Sequence, residues 1–556
     1  MIHENVKKTV IKGDYEFALN FFAKEPITKN NIWLYIETLL GLEKINEIEE
    51  LLTQWKDKFD LETEKIQYHY FNSKILRKKK AKSNSIFDEI VKAEKLFSQE
   101  VDQKLQHKIL LEKADWFVQD NELKTASRIV QNIIAVIDLG TEPEEVLNLT
   151  KAFNILANIN YKKKEYKSAM TDYKQALKII EGSGNLIRTA GVISNIANLY
   201  YHLQDYKKSI ENYERAIVLY EQLNNKKVLL QSYTSIAKVF HKNGQLEDAK
   251  IYFEKIIKIN GDNNSIKYYI FPKIKVIEIL IDQGYLEKAE EELDEILKTE
   301  SIHKSKIFLA DCLLLKARAE KTKKNPKKAI SLLEEALAIY ERENKGYQCL
   351  NTLFQLMNSL VEEKLLNIDH PIMERIPKGT KNPIIEGFSH LVGGLLAEAQ
   401  NELDKAQAEY EKALEYKKIG FKLQEYCFMA LSSIKIERAT KIYSEDKLLE
   451  VLKDLEVLEA LYEKNHVKHR LCQIALLKAK THILNSDFNK ARKFLQECVS
   501  ESEKIGLPSH KKIALEELEK LSNPCKKMTK KFVNEQLNDI YQYLNDFDSI
   551  LSTLDS

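Results

Sequence analysis

The sequence predicts an all-α fold in which helix-turn-helix units follow one another as a solenoid, and three observations support this prediction. Glycine contributes 16 and proline 9 of the 556 residues, so the chain is poor in the residues that form turns. Hydrophobic residues make up 44% of the chain, which is enough for an extensive core. The third observation is an internal repeat, described next. Together they indicate long helices joined by short connections.

The repeat is clearest at positions that hold small side chains. Starting from Ala169, a small residue recurs every 40 residues, and a bulky residue follows four positions later. Spacings of three and four place these residues on one helical face, where small side chains let a second helix approach closely. We call this face the seam. Its members are Ala157, Ala197, Ala237, Ile277 and Ala317; Ala169, Ser209, Ala249, Ala289 and Ala329; Tyr173, Tyr213, Phe253, Leu293 and Leu333; and Ala176, Ala216, Ile256, Ile296 and Ala336.

Turn residues separate the two helices of a unit. Gly244 and Gly284 suit the left-handed conformation that ends a helix, and Asn325 is placed to cap the helix that begins at Pro326. The pattern divides the chain into degenerate helical repeats over 1–149, five regular units over 150–345, an irregular break or degenerate repeat over 346–394, further repeats over 395–523 and a capping helix over 524–556. A long loop inside one continuous solenoid is the alternative for the proline- and glycine-rich segment 371–394.

Composition and motifs argue against several classes of function. The net charge of +2 provides no global attraction to nucleic acid or anionic membrane, and no stretch is long and apolar enough to span a bilayer. No signal peptide is recognised at the N-terminus. The six widely spaced cysteines fit reduced thiols in a cytoplasmic protein. No phosphate loop or hydrolase motif occurs, so we expect no enzymatic activity and no cofactor.

Two local clusters favour structural explanations. His466 and His469 could share a helix face, but two further ligands for a metal are missing from the pattern, so no metal site is expected. The basic run from Arg77 to Lys82 lacks interleaved aromatic residues and has acids nearby. We therefore interpret it as a polar connection between helices, and nucleic acid is not an expected partner.

The first helix of each unit carries polar side chains outside the seam, which the fold would turn towards a concave groove. Asparagine is a mediocre helix former, so its repeated occurrence in mid-helix indicates a role other than helix formation. Side-chain amides can bind the backbone of an extended peptide, and a row of aromatic rings can contact its side chains. The alternative is a ladder of buried amides that bond only to neighbouring helices. The candidate partner-binding residues are Asn154, Asn158, Tyr161, Asn195, Asn198, Tyr201, Gln231, Ser235, Lys238 and His241.

These seam positions resemble the tetratricopeptide repeat, with the usual tryptophan of the first helix replaced by Phe153, Ile193 or Tyr233. The segment from Ser194 to Ile210 is similar to the forty-residue units of kinesin light chains and of the Leu-Gly-Asn spindle-orientation adaptor. That resemblance implies a right-handed superhelix and a role for Asn158, Asn195 and Asn198 in gripping an extended partner. Capture of a C-terminal carboxylate is not implied, because the basic residues of that clamp are absent.

The sequence therefore predicts a non-enzymatic scaffold or adaptor that binds a peptide or helix of another protein in its groove. Two alternatives stay open. Forty-residue repeats also occur in bacterial receptors for peptide pheromones, which makes a peptide-sensing regulator one of them. The other is a regulatory subunit of an enzyme complex whose active site lies on a different chain.

Overall fold

A computed structural model describes residues 2–12, 14–137, 142–223, 226–261, 265–283, 285–323, 325–367, 369–376, 383–416, 421–441, 445–464, 468–505 and 508–522. Within these ranges 84% of the residues are helical and none lies in a strand. The predicted all-α fold is confirmed. The chain forms two compact units, residues 1–236 and 237–556, whose boundary falls inside one helix, α13.

The described residues form 27 α-helices. Unit 1 holds α1 (Ile2–Lys12), α2 (Tyr15–Phe22), α3 (Ile32–Gly41), α4 (Ile45–Trp55), α5 (Glu62–Lys78), α6 (Ser83–Glu94), α7 (Gln103–Gln119), α8 (Leu123–Val136), α9 (Pro143–Lys162), α10 (Tyr166–Glu181), α11 (Leu186–His202), α12 (Tyr206–Gln222) and the part of α13 (Lys226–Lys242) up to Ile236. Unit 2 holds the remainder of α13, α14 (Leu246–Asn260), α15 (Phe271–Asp282), α16 (Leu286–Leu297), α17 (Glu300–Lys304), α18 (Lys306–Thr322), α19 (Pro326–Arg342), α20 (Gly346–Glu362), α21 (Pro383–Ala399), α22 (Leu403–Glu415), α23 (Phe421–Lys441), α24 (Glu445–Lys464), α25 (Lys468–Leu484), α26 (Phe488–Ile505) and α27 (Pro508–Ser522).

Helices that are consecutive in the chain pack as pairs. The most extensive pairings join α9 to α10, α11 to α12, α18 to α19, α21 to α22 and α25 to α26. Each pair consists of a first helix, a short turn and a second helix, as the repeat predicts.

The seam forms the core of these pairs. All five small residues from Ala169 to Ala329 are fully buried, and the bulky residues four positions later are at most 5% exposed. Ser209 fits among the alanines because its hydroxyl donates a 2.8 Å hydrogen bond to the carbonyl oxygen of Ala197 on the first helix. The seam therefore lies where the sequence predicts it.

The turns between paired helices share one backbone conformation. Lys164, Gln204 and Gly244, each 40 residues apart, have positive φ values of 64°, 61° and 72°. The prediction for Gly244 is confirmed, whereas Gly284 lies outside the described residues. A left-handed residue is thus required at this position, but glycine is not.

Asn325 occupies the N-cap position of α19, directly before Pro326 in the first turn. Its side chain does not cap the backbone of α19; instead, its amide nitrogen donates to Glu320 at 3.0 Å. The predicted helix start is therefore present, with a different side-chain contact.

The segment 371–394 contains a 3₁₀ turn at Pro371–Arg375 and the first part of α21. Gly394 is buried in α21, twelve residues before Ala406, which is the seam spacing. A Cβ atom at Gly394 would lie 2.3 Å from the ring of Tyr410, so the missing side chain allows α21 and α22 to approach. Whether the array is interrupted here stays a prediction, and the capping helix predicted for 524–556 lies outside the described residues.

Candidate functional site: polar positions of the first helices

The first helices of the regular units carry the predicted partner-binding residues. Unit 1 contains eight of them, on α9, on α11 and in the first part of α13, and unit 2 contains Lys238 and His241. In unit 1, Asn198 and Gln231 are exposed, and the others are half-buried. We call the series that starts at Asn158 and recurs every 40 residues the inner position.

The asparagines of unit 1 differ in their contacts. The Asn195 amide nitrogen donates to the side-chain oxygen of Asn154 at 3.1 Å, and the Asn154 nitrogen donates to the carbonyl oxygen of Thr150 at the same distance. The side-chain oxygen of Asn158 accepts a 2.5 Å hydrogen bond from the hydroxyl of the seam residue Tyr173. The Asn195–Asn154 and Asn158–Tyr173 hydrogen bonds join neighbouring helices, as the amide-ladder alternative describes, whereas the Asn154–Thr150 bond lies within α9.

Asn198 has a different environment from the other three asparagines. Its side chain is exposed and makes no hydrogen bond to any residue in the described part of the chain. The amide thus retains two donors and one acceptor for an external partner. In the last part of unit 1, Gln231 is also exposed, and the Ser235 hydroxyl donates to the Gln231 carbonyl oxygen at 3.1 Å.

An aromatic row runs alongside these amides in unit 1. The rings of Tyr161 and Tyr201, which the sequence singled out, are joined through His202, at centroid distances of 5.1 Å and 5.3 Å. Tyr166 and Tyr206 extend the row at 5.9 Å and 5.8 Å. Burial raises the pKa of Tyr161 and of Tyr201, so both hydroxyls stay protonated and can donate hydrogen bonds at neutral pH.

Three members of this row, namely Tyr166, His202 and Tyr206, are not among the residues predicted from the sequence. Tyr166 and Tyr206 are 40 residues apart, like Tyr161 and Tyr201, so the repeat itself carried the signal. Each lies at the start of the second helix of its pair. The helix-turn-helix geometry therefore brings it close to the end of the first helix.

The two predicted residues of unit 2 lie among charged groups. Lys238 is exposed and places its ammonium nitrogen 5.0 Å from the ring centroid of Phe271. Burial, together with the charges of Lys275 and Lys242, lowers the pKa of His241 to about 4, although Glu278 opposes the shift. His241 is therefore neutral at physiological pH.

The inner position continues through unit 2 with a change of chemistry. Lys238 is followed by Glu278, Arg318 and Asn358, which are 4%, 2% and 5% exposed. Glu278 accepts from Lys275 at 2.8 Å, Arg318 donates to Asp282 at 2.7 Å, and Asn358 accepts from the hydroxyl of Tyr426 at 3.0 Å. These three side chains therefore serve internal networks.

A small cavity of about 10 Å³ lies beside this network, with room for roughly one water molecule. Arg318, Asn358 and Ser359 line it together with Gln355, which is 8% exposed. The Gln355 amide nitrogen has no hydrogen-bond partner among the described residues. This group is not among the residues predicted from the sequence, although the 40-residue spacing leads from Asn158 to Arg318 and Asn358.

Ion pairs connect the first helices in the earlier part of unit 1. Glu112 on α7 is 1% exposed and pairs with Lys74 on α5 and with Lys151 on α9. These cations hold the pKa of Glu112 well below its usual range despite its burial. Burial lowers the pKa of Lys74 to about 7, even though Glu112 opposes this shift.

The basic run is largely neutralised by acidic residues. Arg77 pairs with Asp115, Lys78 lies 2.6 Å from Glu43, and Lys79 lies 2.5 Å from Glu49. Arg77 and Lys78 end α5, and the following residues form the turn before α6. The position of the run between two helices agrees with its interpretation as a polar connection.

Other predicted features concern metals, thiols and membranes. His466 lies outside the described residues, and in the described ranges no three His, Cys, Asp or Glu side chains are grouped as metal ligands. Cys312, Cys349, Cys427, Cys472 and Cys498 are free thiols, and Cys525 is outside the described residues. No helix of the described chain is long and apolar enough to cross a membrane.

Comparisons with known proteins found one matching family model and several similar solved structures. The family model "SNAP: Soluble NSF attachment protein, SNAP" matches residues 148–272, a minor part of the chain, and no curated protein sequence matches. A Rap protein complexed with competence and sporulation factor is 15% identical, covering 65% of this chain and 97% of its own, with a TM-score of 0.39. The apo quorum sensor NprR from B. thuringiensis is 13% identical, covering 79% and 97%, with a TM-score of 0.35.

A signal-transduction ATPase with a tetratricopeptide repeat sensor, from Pyrococcus horikoshii, is 17% identical over 60% of this chain and 53% of its own, with a TM-score of 0.44. The repeat architecture is established by the buried seam and by the paired helices of the chain itself. The chain is an array of tetratricopeptide-like helical repeats.

Proposed function

We propose that the protein is a non-enzymatic adaptor that binds an extended peptide or a helix of another protein along the first helices of its repeats. In unit 1 the binding surface consists of Asn198, Gln231 and the aromatic row. Amides would bind the partner's backbone, and the rings would contact its side chains.

The exposed amide of Asn198 is the observation that carries this proposal. An asparagine in mid-helix lowers helix stability relative to better helix formers, and a hydrogen bond to a neighbour can compensate for this cost. Asn154, Asn158 and Asn195 make such hydrogen bonds, whereas Asn198 makes none to a described residue. A hydrogen bond from Asn198 to a bound partner would compensate for the low helix propensity of asparagine at this position.

The aromatic row supplies the second requirement of a binding surface. Tyr161 and Tyr201 are half-buried, so their rings are held by neighbours while part of each remains accessible. Rings that are already ordered lose little conformational freedom when a partner binds. Tyrosine is also one of the residue types that most often dominate binding energy at interfaces.

A peptide-display screen on the purified chain tests the proposal. Peptides enriched on the wild-type protein would be measured by calorimetry against the variant Asn198→Ala with Tyr201→Ala. We expect the variant to lose about 1–3 kcal/mol of binding energy, because the peptide backbone groups lose their partners. The melting temperature of the single variant Asn198→Ala should change little, because Asn198 makes no hydrogen bond to a described residue. Tyr201→Ala also removes the ring contacts to His202 and Tyr206 and should lower the melting temperature, so binding is measured well below it.

The matched control is Asn212→Ala on the second helix α12. Asn212 is half-buried, and its amide donates to the carbonyl oxygen of Lys208 at 2.8 Å. This variant should bind the selected peptides as the wild type does. Equal affinity of the Asn198 and Tyr201 variant, or an equal loss in the control, would refute binding through the first helices.

A further inference from the structure

Three lysines of unit 2 lie beside two neighbouring aromatic rings, those of Tyr268 and Phe271. The ammonium nitrogens of Lys238 on α13 and Lys275 on α15 lie 5.0 Å and 6.0 Å from the centroid of the Phe271 ring. Lys267, in the π-helical turn Ile266–Ile270 just before α15, lies 4.8 Å from the ring of the neighbouring Tyr268. Two adjacent first helices thus place two cations beside the half-exposed Phe271 ring, and a third cation lies beside Tyr268, three residues earlier.

Acidic residues compensate only part of this charge. Lys275 pairs with Glu278 at 2.8 Å, and both side chains are mostly buried. Lys238 and Lys267 are exposed, and neither forms an ion pair with a residue in the described ranges. Many other lysines of this chain do pair with acids, including Lys273 and Lys316 in the same unit. The Lys238–Lys267 surface is therefore a local excess of positive charge in a chain whose total charges nearly cancel.

The charges are close enough to affect each other. Partial burial lowers the pKa of Lys238, and the positive charges of Lys275 and Lys267 lower it further. Like charges held together in this way destabilise one another, and a bound anion removes that repulsion. The aromatic ring partly offsets the repulsion through its cation–π contacts.

We propose that Lys238, Lys267 and Phe271 form a docking surface for an acidic segment of a protein partner. The carboxylates would pair with the two exposed ammonium groups, and an apolar residue of the segment would pack on the ring. This inference rests on the proposed adaptor function, because it names the chemistry of the partner at one part of the first helices.

An acidic peptide fits this surface better than a nucleic acid does. Nucleic-acid surfaces usually combine arginine with stacking rings along an extended basic stripe. The basic residues of the proposed surface are lysines, not arginines. The Phe271 ring is already in contact with the ammonium groups of Lys238 and Lys275, so it is less open to stacking by a base. Lysine pairs with single carboxylates without requiring a fixed, forked geometry.

Fluorescence anisotropy with two synthetic probes tests the proposal on the full chain. One decapeptide alternates Glu and Ser, and the other alternates Gln and Ser. We expect the acidic probe to bind more tightly, with an affinity that falls as salt is added. Lys238→Glu with Lys267→Glu should weaken acidic-probe binding by roughly tenfold or more, since attraction becomes repulsion. Both residues are exposed, so circular dichroism and melting should resemble the wild type.

Lys255→Glu is the matched control. Lys255 is an exposed lysine on the second helix α14, and its ammonium lies 4.7 Å from the ring of Tyr252. Its Lys→Glu change alters the net charge as much as each of the two changes in the test variant does, yet it should retain most of the acidic-probe affinity. Equal binding of both decapeptides, no measurable acidic binding, or the same loss in the control would overturn the proposal.

Oligouridylate provides the last comparison. Tighter binding of this RNA than of the acidic probe, lost in the Lys238 and Lys267 variant, would assign the surface to nucleic acid and reject the acidic peptide. The adaptor function is judged separately with display-selected peptides and the Asn198 variant. If the selected peptides lose affinity in the Asn198 variant while the acidic decapeptide binds the wild type no better than the neutral one, the adaptor function stands and the acidic docking surface is rejected.

Discussion

The side-chain amide of Asn195 on α11 donates a 3.1 Å hydrogen bond to the side-chain oxygen of Asn154 on α9, 41 residues earlier in the chain. Both side chains are half-buried, so the bond links the first helices of adjacent repeats at the edge of the proposed surface. Asn198, one turn further along α11, makes no comparable bond to a described residue. Two asparagines of one helix thus have separable physical roles.

Separate alanine substitutions should divide stability from binding. Asn195→Ala removes the amide bond to Asn154 and should lower the free energy of unfolding by about 1 kcal/mol. Asn198→Ala should leave stability nearly unchanged, or raise it slightly, because alanine is the better helix former. Chemical denaturation of both single variants measures the difference. A larger loss of stability for Asn198→Ala than for Asn195→Ala would contradict these assignments.

The same glycine-to-alanine change should have opposite effects in two helices. At Gly394 the new Cβ atom would meet the Tyr410 ring at 2.3 Å, so we expect Gly394→Ala to cost about 1–3 kcal/mol. At Gly191 in α11 the nearest side-chain atom is 3.8 Å away, and Gly191→Ala should gain about 0.5–1 kcal/mol from helix propensity. Thermal melting of both variants tests the signs. A Gly394→Ala variant as stable as the wild type would show that the close approach of α21 to α22 is not limiting, and a destabilised Gly191→Ala would contradict the gain expected from helix propensity.

Glu112 should make unit 1 sensitive to acid. Its pKa is lowered in the fold, so its stabilising contribution is present above the ordinary carboxyl pKa and is lost as the pH falls. Glu112→Gln should therefore destabilise the protein at pH 7 by about 3 kcal/mol and flatten the dependence of stability on pH between about 5 and 3.

Glu144→Gln is the control for this prediction. Glu144 forms an exposed ion pair with Lys7 at 2.8 Å, and such pairs contribute at most about 1 kcal/mol. Denaturation curves at several pH values would separate the two variants. An equally steep pH dependence in Glu112→Gln and in the wild type would refute the assigned role.

Two substitutions at the left-handed turn position should change stability in opposite directions. Gln204 has a φ of 61° and Gly244 a φ of 72° at equivalent places in adjacent repeats. Gln204→Gly should raise the free energy of unfolding by up to about 1 kcal/mol, whereas Gly244→Ala should lower it by about 1 kcal/mol. Differential scanning calorimetry provides the measurement. A destabilised Gln204→Gly would mean that side-chain contacts, rather than backbone strain, dominate this turn.

The architecture could be predicted from the sequence because packing constrains the seam. Ala197 and Ser209 have no room for larger side chains, so the small residues recur at a fixed interval and reveal the pairing of helices. Gly394 obeys the same constraint, but its neighbouring prolines and glycines favoured a break over a seam residue. The prolines and glycines around Gly394 predict a break, whereas its spacing of twelve residues from Ala406 predicts a packed helix pair. The structure has the helix pair, formed by α21 and α22.

The contacts of the candidate site were less predictable. The inner position reads Asn198, Lys238, Glu278 and Arg318 in successive repeats, and nothing in that series states that the last two are buried. Their burial depends on neighbours such as Asp282 and on helices distant in the chain, as the Asn358–Tyr426 hydrogen bond shows. The pairing of Asn195 with Asn154 likewise depends on the side-chain directions of two helices, which a repeat spacing does not specify.

The hydrogen bond from the Ser209 hydroxyl to the Ala197 carbonyl oxygen joins α11 and α12 without any of the inner-position side chains. Natural variation can therefore replace an amide by an ammonium, a carboxylate or a guanidinium at that position while the pair retains its core. Such an arrangement gives evolution, and equally an engineer, one residue per module to alter without redesigning the scaffold. Homologous chains should accordingly diverge fastest at the inner position wherever it is exposed, and slowest at the alanines behind it.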